Sequence, residues 1–144
     1  MELPTKNIIK HIFVYGTLMQ GMENPVKDVL TKYLTFIGFA TINADLYDMG
    51  SYPGAIPTIT GKMLDGEVYE LDAHNVALGI LDNYEGYDEG NIAESEFVRG
   101  EIEVKLFETK TVSAWIYWLN KTYKNKGIKI SNRSYRSYLK YKKD

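Results

Sequence analysis

The sequence predicts an α+β fold: residues 1–144 as a single domain built on a mostly antiparallel sheet with short helices beside it. Segments of strand composition alternate with segments whose apolar residues recur at helical spacing. Between Ile102 and Leu119, two strand patterns follow each other across a short turn, which indicates a β-hairpin. With 44% apolar residues, the chain can form one core and one enclosed pocket, because a domain of this size buries roughly 68–70% of the surface that its unfolded form exposes.

The first predicted strand runs into a glycine loop. Residues 10–15 are β-branched and aromatic, and Gly16 ends the strand in a loop with Thr17 and Leu18. Asn24-Pro25 is typical of a helix start, with Asn as the N-cap and Pro at the first helical position. The apolar face of this helix would consist of Val26, Val29, Leu30 and Tyr33.

The middle of the chain predicts a bulged strand, a loop and a second strand. Residues 36–47 have strand composition, with Gly38 as a bulge or a kink, and residues 48–57 are dense in Gly, Pro and Ser. We therefore expect residues 48–57 to form a loop of fixed shape, and residues 67–71 to form the next strand.

A helix should follow, and its end carries the best candidate for catalysis. Asp72 is a suitable cap and Gly86 a suitable C′ residue. Glu85 precedes this glycine and has Tyr84 and Tyr87 nearby, and a carboxylate fixed at such a place can accept and return a proton. The apolar face of the helix would consist of Ala77, Ile80, Leu81 and Tyr84.

The predicted hairpin has one half-exposed strand and one buried strand. Ile102, Val104 and Leu106 alternate with charged residues, as in a strand with one dry face. The turn would be Glu108-Thr109-Lys110. Residues 112–119 are apolar on both faces, so this strand should lie inside the sheet.

Charge is distributed unevenly along the chain. The net charge is −2, yet nine Lys or Arg and one acid, Asp144, follow residue 120. Four tyrosines lie among these basic residues, a composition that suits either nucleic-acid binding or a solvated terminal segment attracted to an acidic body. The second interpretation is favoured, because blocks of like charge are usually solvated, and we expect no nucleic-acid partner.

Several kinds of site chemistry are excluded by the residues themselves. Cysteine is absent, which excludes disulfides and thiolate chemistry, and His11 and His74 are far apart and belong to no metal-binding motif. The nucleotide-binding glycine motifs and the GxSxG motif are also absent. Carboxylate, tyrosine and backbone chemistry remain, so we expect neither a metal nor a cofactor.

The chain is expected to be soluble and cytoplasmic. The apolar run of residues 12–14 near the N-terminus is too short for a signal peptide or a membrane span. The apolar positions are all assigned to predicted core faces, so the sequence gives no indication of oligomeric state.

Four motifs in order resemble one family. They are Val14-Tyr15-Gly16-Thr17-Leu18, Tyr52-Pro53-Gly54, Leu81-Asp82-Asn83-Tyr84-Glu85-Gly86, and Arg99 before an alternating strand. Each motif alone is weak, but their order and spacing resemble the γ-glutamylcyclotransferase-like family, including its AIG2-like and γ-glutamylamine members.

The resemblance implies a small, barrel-like mixed sheet flanked by helices, with one cavity. It also implies a cofactor-free reaction on a small γ-glutamyl substrate: the α-amine attacks its own γ-carbonyl, forms 5-oxoproline and releases an amine. The residues fit such a reaction, because ring closure requires positioning and a proton acceptor.

Roles carried over from the family begin with Glu85, which matches the catalytic glutamate. The N–H groups of Gly16, Thr17 and Leu18 would bind an anionic oxygen. Tyr15 and Tyr117 would orient the head group, and Tyr52, Pro53 and Gly54 would form the opposite wall.

Other interpretations of the same residues stay open. Glu85 would otherwise be a surface carboxylate at a helix end, the tyrosines core residues, and Tyr52-Pro53-Gly54 a type II turn. Asp82, on nearly the same helix face, competes for the role of general base.

Two features depart from the family pattern. Phe97 stands where the family commonly has tyrosine, which removes one hydroxyl and leaves open a binding module without turnover. Residues 87–96 form an acidic insert, including Asp88, Glu89, Glu94 and Glu96, which would be a lid or a solvated loop and would favour a cationic leaving amine.

Overall fold

A computed structural model describes residues 8–107 and 109–142, and in these residues a seven-stranded mixed sheet is flanked by three short α-helices. No helix among these residues is both long enough and apolar enough to cross a membrane. The strands are β1 His11–Val14, β2 Leu34–Asp48, β3 Pro53–Pro57, β4 Met63–Leu71, β5 Phe97–Leu106, β6 Lys110–Leu119 and β7 Ile128–Ile130. The helices are α1 Lys27–Leu30, α2 Val76–Glu85 and α3 Tyr135–Lys142, with 3₁₀ turns at Glu89–Glu94 and Lys121–Lys126.

The sheet has the strand order β3-β2-β4-β1-β6-β5, and β7 pairs with β2. All neighbours are antiparallel except β1 and β6, which are parallel. The buried strand β6 therefore lies inside the sheet, between β1 and β5, as its apolar pattern predicts. Glu108 of the predicted turn between β5 and β6 lies outside the described residues.

The long strand β2 bends the sheet into a nearly closed barrel. Its first part pairs with β4, and its last residues pair with both β3 and β7. The register shifts between Phe36 and Gly38, which confirms the predicted bulge. At the other end, Gly54 of β3 packs so closely on β6 that an added Cβ would lie 2.9 Å from the Leu119 Cβ. The α+β fold with a barrel-like, mostly antiparallel sheet is thus confirmed.

The prediction of a loop over residues 48–57 is wrong, because Pro53–Pro57 forms β3. The two prolines occupy the first and last positions of the strand, where a missing N–H is tolerated. Pairing with β2 and burial against the core outweigh the turn-forming composition. Only residues 49–52 connect the two strands.

The helix predicted to start at Pro25 is shorter and starts later. Lys27–Leu30 forms a single turn, and Asn24 precedes it, its Oδ1 accepting a hydrogen bond of 3.0 Å from the Val26 N–H. Such a short helix turns few side chains inward: Leu30 is buried, whereas Val29 is 49% exposed and not part of the core.

The C-terminal end of α2 is the predicted one, whereas the helix begins at Val76, later than predicted, and its N-cap residue is Asn75 and not Asp72. The Asp72 carboxylate accepts hydrogen bonds from the Val76 and Ala77 N–H groups at 2.8 and 2.9 Å. Gly86 follows the helix with a φ of 70°, the left-handed conformation that glycine adopts without strain. The buried residues are Ala77, Leu78 and Leu81, while Tyr84 is 41% exposed and not a core residue.

The basic segment after residue 120 is folded onto the rest of the domain, where Arg133, Arg136 and Lys142 pair with Asp65, Glu67 and Asp48, as expected for a segment attracted to an acidic body. It contains a 3₁₀ turn, β7 and α3, and Tyr135 of α3 is buried. Asp48 at the end of β2 accepts hydrogen bonds from Tyr138 at 2.5 Å and Lys142 at 2.7 Å. Lys143 and Asp144 lie outside the described residues.

Candidate active site

A cavity of about 250 Å³ lies where β1 ends and α2 ends. Residues 13–18, 52–53, 84–85 and 96–97 line it together with Tyr117 of β6. Five segments that are distant in sequence thus meet at one place. A concave site of this size with a few polar groups suits a ligand as small as an amino acid.

Glu85 is the last residue of α2, and its half-buried side chain reaches the cavity. Burial, and secondarily the carboxylate of Glu96, raises the pKa of Glu85 to about 7. A carboxylate is further disfavoured at the C-terminal end of a helix, where the dipole is negative. Near neutral pH, both protonation states of Glu85 are therefore populated, as a group that accepts and returns a proton requires.

Asp82, the alternative base, is engaged elsewhere. Its Oδ1 accepts a hydrogen bond of 2.6 Å from the Tyr117 hydroxyl, and its Oδ2 lies 3.2 Å from Arg99 Nη1. The Arg99 guanidinium in turn stacks over the Trp115 ring at 4.5 Å. Asp82 does not line the cavity, so the geometry favours Glu85 for proton transfer.

The loop after β1 lines the cavity with Gly16, Thr17 and Leu18. Within residues 8–107 and 109–142, no group accepts a hydrogen bond from the N–H of Gly16, Thr17 or Leu18. The Met19 N–H closes the turn on the Gly16 carbonyl at 3.1 Å. Glycine is required at position 16, because an added Cβ would lie 2.9 Å from Pro53 Cγ.

Tyr15 and Tyr117 line the cavity, but other protein groups engage their hydroxyls. The Tyr15 hydroxyl donates to the Tyr117 carbonyl at 2.6 Å and accepts from the Ala55 N–H at 3.1 Å. Burial raises the pKa of both tyrosines well above the usual value. Their rings thus form a wall, and any contribution to orienting a head group comes through the rings.

The predicted opposite wall is present only in part. Tyr52 and Pro53 line the cavity, whereas Gly54 does not and packs against Leu119. Phe97 also lines the cavity, with its ring centroid 5.9 Å from that of Tyr52.

Tyr84 and Glu96 also line the cavity, and neither was predicted to do so. Glu96 counted only as one acid of the insert, yet its Oε2 accepts a hydrogen bond of 2.5 Å from the Tyr52 hydroxyl. Its position directly before β5 was the available signal. His11 and His74 do not line the cavity, and the described residues contain no group of three or more metal-ligating side chains.

Known proteins resemble this chain over most of its length. The family model "Gamma-glutamyl cyclotransferase, AIG2-like" matches residues 12–137. The gamma-glutamylcyclotransferase family protein YtfP of Escherichia coli K12 is 33% identical over 106 residues, which cover 74% of this chain and 79% of that protein.

Solved structures show the same fold. An AIG2-like protein from mouse has a TM-score of 0.67 and 25% identity, with 88% of each chain covered. YkqA from Bacillus subtilis has a TM-score of 0.69 and 21% identity over 94% of this chain, which spans only 43% of that longer protein. The family model and the relatives lead to one conclusion: this chain belongs to the gamma-glutamyl cyclotransferase, AIG2-like family.

Proposed function

We propose that this protein converts a γ-glutamyl amine or γ-glutamyl peptide into 5-oxoproline and the free amine. The observation that carries the proposal is Glu85, a half-buried carboxylate with a pKa of about 7 in a cavity that is also lined by Gly16, Thr17 and Leu18, whose N–H groups donate to no acceptor among the described residues. Family membership supports the reaction class.

The substrate supplies its own nucleophile in this reaction. Glu85 accepts a proton from the α-ammonium, and the freed nitrogen lone pair attacks the γ-carbonyl carbon to form the ring C–N bond. The tetrahedral intermediate then collapses: the original amide C–N bond breaks as Glu85 delivers its proton to the leaving nitrogen, and the ring nitrogen loses its second proton, which passes through Glu85 to the released amine. No atom comes from water, so no net hydrolysis occurs.

The cavity would lower the barrier mainly by positioning. Enclosure by the rings of Tyr15 and Tyr117 favours the folded glutamyl chain over extended ones, and ring closures held in this way gain a large rate advantage. The N–H groups of residues 16–18 are suited to bind the α-carboxylate or the developing oxyanion.

The test is incubation with a panel of γ-glutamyl compounds and identification of the product by mass spectrometry. The proposal predicts 5-oxoproline and an equal amount of free amine. Glutamate as the product would indicate hydrolysis and contradict the mechanism. Binding of several panel members without any product would instead favour the alternative that Phe97 leaves open, a binding module without turnover.

A further inference from the structure

The cavity contains a second carboxylate, Glu96, which the mechanism above does not use. The Tyr52 hydroxyl holds its Oε2 at 2.5 Å. The backbone at this point is also fixed: the Asn120 N–H donates to the Glu96 carbonyl at 2.7 Å, and the Asn120 side chain donates to the Ser95 carbonyl at 2.9 Å. Glu96 therefore presents a fixed negative group to the cavity.

The charges that line the cavity are unbalanced. Among the described residues that line it, Glu85 and Glu96 are acidic, and none is a lysine or an arginine. Arg99 does not line the cavity and is paired with Asp82 and Glu89. Two carboxylates in a partly dehydrated space repel each other, and a cation from the ligand would relieve this repulsion.

We propose that Glu96 binds the α-ammonium group of the substrate together with Glu85, so that the cavity selects ligands with a free α-amino group. The inference rests on the proposed function only in identifying the bound cation as the α-ammonium group of a γ-glutamyl substrate. Glu96 acts as a binding residue that contacts the substrate and carries no proton in the reaction. Tyr52 positions it through the hydroxyl contact.

The pH at which Glu85 ionises should depend on the charge of Glu96. Glu85 faces Tyr15, Tyr52 and Tyr117 as well as Glu96, and burial raises the pKa of each of these tyrosines. Glu96 is thus the facing group whose negative charge acts on Glu85. Removing this charge should lower the pH at which Glu85 ionises.

The test compares binding of L-glutamate and glutarate, which differ by the α-ammonium group. The proteins are the wild type, Glu96→Gln and Tyr52→Phe, with Glu94→Gln as a matched control on the adjacent 3₁₀ turn, where Glu94 is exposed. Isothermal calorimetry should show that Glu96→Gln weakens L-glutamate binding by about tenfold, as for loss of one charge-assisted hydrogen bond. The affinity of Glu96→Gln for glutarate should equal or exceed that of the wild type. Tyr52→Phe should also weaken L-glutamate binding, but by a smaller factor.

Three results would overturn the inference: equal weakening of both ligands by Glu96→Gln, no change in L-glutamate binding, or no binding of L-glutamate by the wild type. A second readout is the acidic limb of the kcat/KM profile, which should move to lower pH in Glu96→Gln and stay in place in Glu94→Gln. Discrimination between the two ligands without 5-oxoproline formation would contradict the proposed function and leave the role of Glu96 intact.

Discussion

Replacing Glu85 by glutamine should make the folded protein more stable at alkaline pH relative to the wild type. The folded pKa of Glu85 is about 7, above its ordinary value of 4.5, because burial and the Glu96 carboxylate disfavour the charge. The folded state therefore holds this proton more tightly than the unfolded state. The resulting stability is fully present below the unfolded pKa and is lost as the pH rises through the folded pKa.

The magnitude follows from the two pKa values. The full difference between them corresponds to about 3 kcal/mol. Proton linkage places about 2.5 kcal/mol of this loss between pH 5 and pH 8. Glutamine keeps the shape of the side chain and has no proton to lose, so the Glu85→Gln protein should not show this loss.

Urea unfolding of both proteins at a series of pH values measures the effect. The gap in unfolding free energy between Glu85→Gln and the wild type should widen by about 2.5 kcal/mol from pH 5 to pH 8. Glu103→Gln, which removes an exposed carboxylate on β5, should keep the wild-type slope because Glu85 remains. Parallel curves for Glu85→Gln and the wild type would refute the assignment of a raised pKa to Glu85.

Three further predictions concern the loop, the barrel and the insert. Glu67 is 1% exposed and accepts from the Gln20 N–H, so Glu67→Gln should cost about 2–3 kcal/mol in urea unfolding and raise KM; an unchanged KM would exclude a role in placing the loop. Gly54→Ala should destabilise the fold by about 1–3 kcal/mol in thermal unfolding, because its Cβ would press on Leu119; an unchanged melting temperature would contradict the close packing. The acidic insert predicts faster turnover of γ-glutamyl-lysine than of γ-glutamyl-alanine, and equal rates would contradict a preference for a cationic leaving amine.

Local signals in the sequence predicted the elements that place the best candidate residue. Gly86 marks the C-terminal end of α2, and Asp72, although it is not the N-cap residue, accepts hydrogen bonds from the first N–H groups of the helix. The position of Glu85 at the helix end therefore followed from the sequence alone. The alternation in β5 and the apolar run in β6 were equally local.

Features that depend on distant contacts could not be predicted in this way. Strand β3 forms because β2 offers it a partner, although its composition favours a loop. The choice between Glu85 and Asp82 depends on Arg99 and Tyr117, which engage Asp82 from other strands. Glu96 enters the cavity through its contact with Tyr52, 44 residues away along the chain.

The central claim is that Glu85 transfers a proton while a bound glutamyl group cyclises. The most direct measurement is 5-oxoproline release by the wild type and by Glu85→Gln from the same γ-glutamyl compound, with binding of that compound measured in parallel. We expect Glu85→Gln to bind the compound but to form product at least about a hundredfold more slowly, because a general base is lost. Product formation by Glu85→Gln at the wild-type rate would contradict this claim.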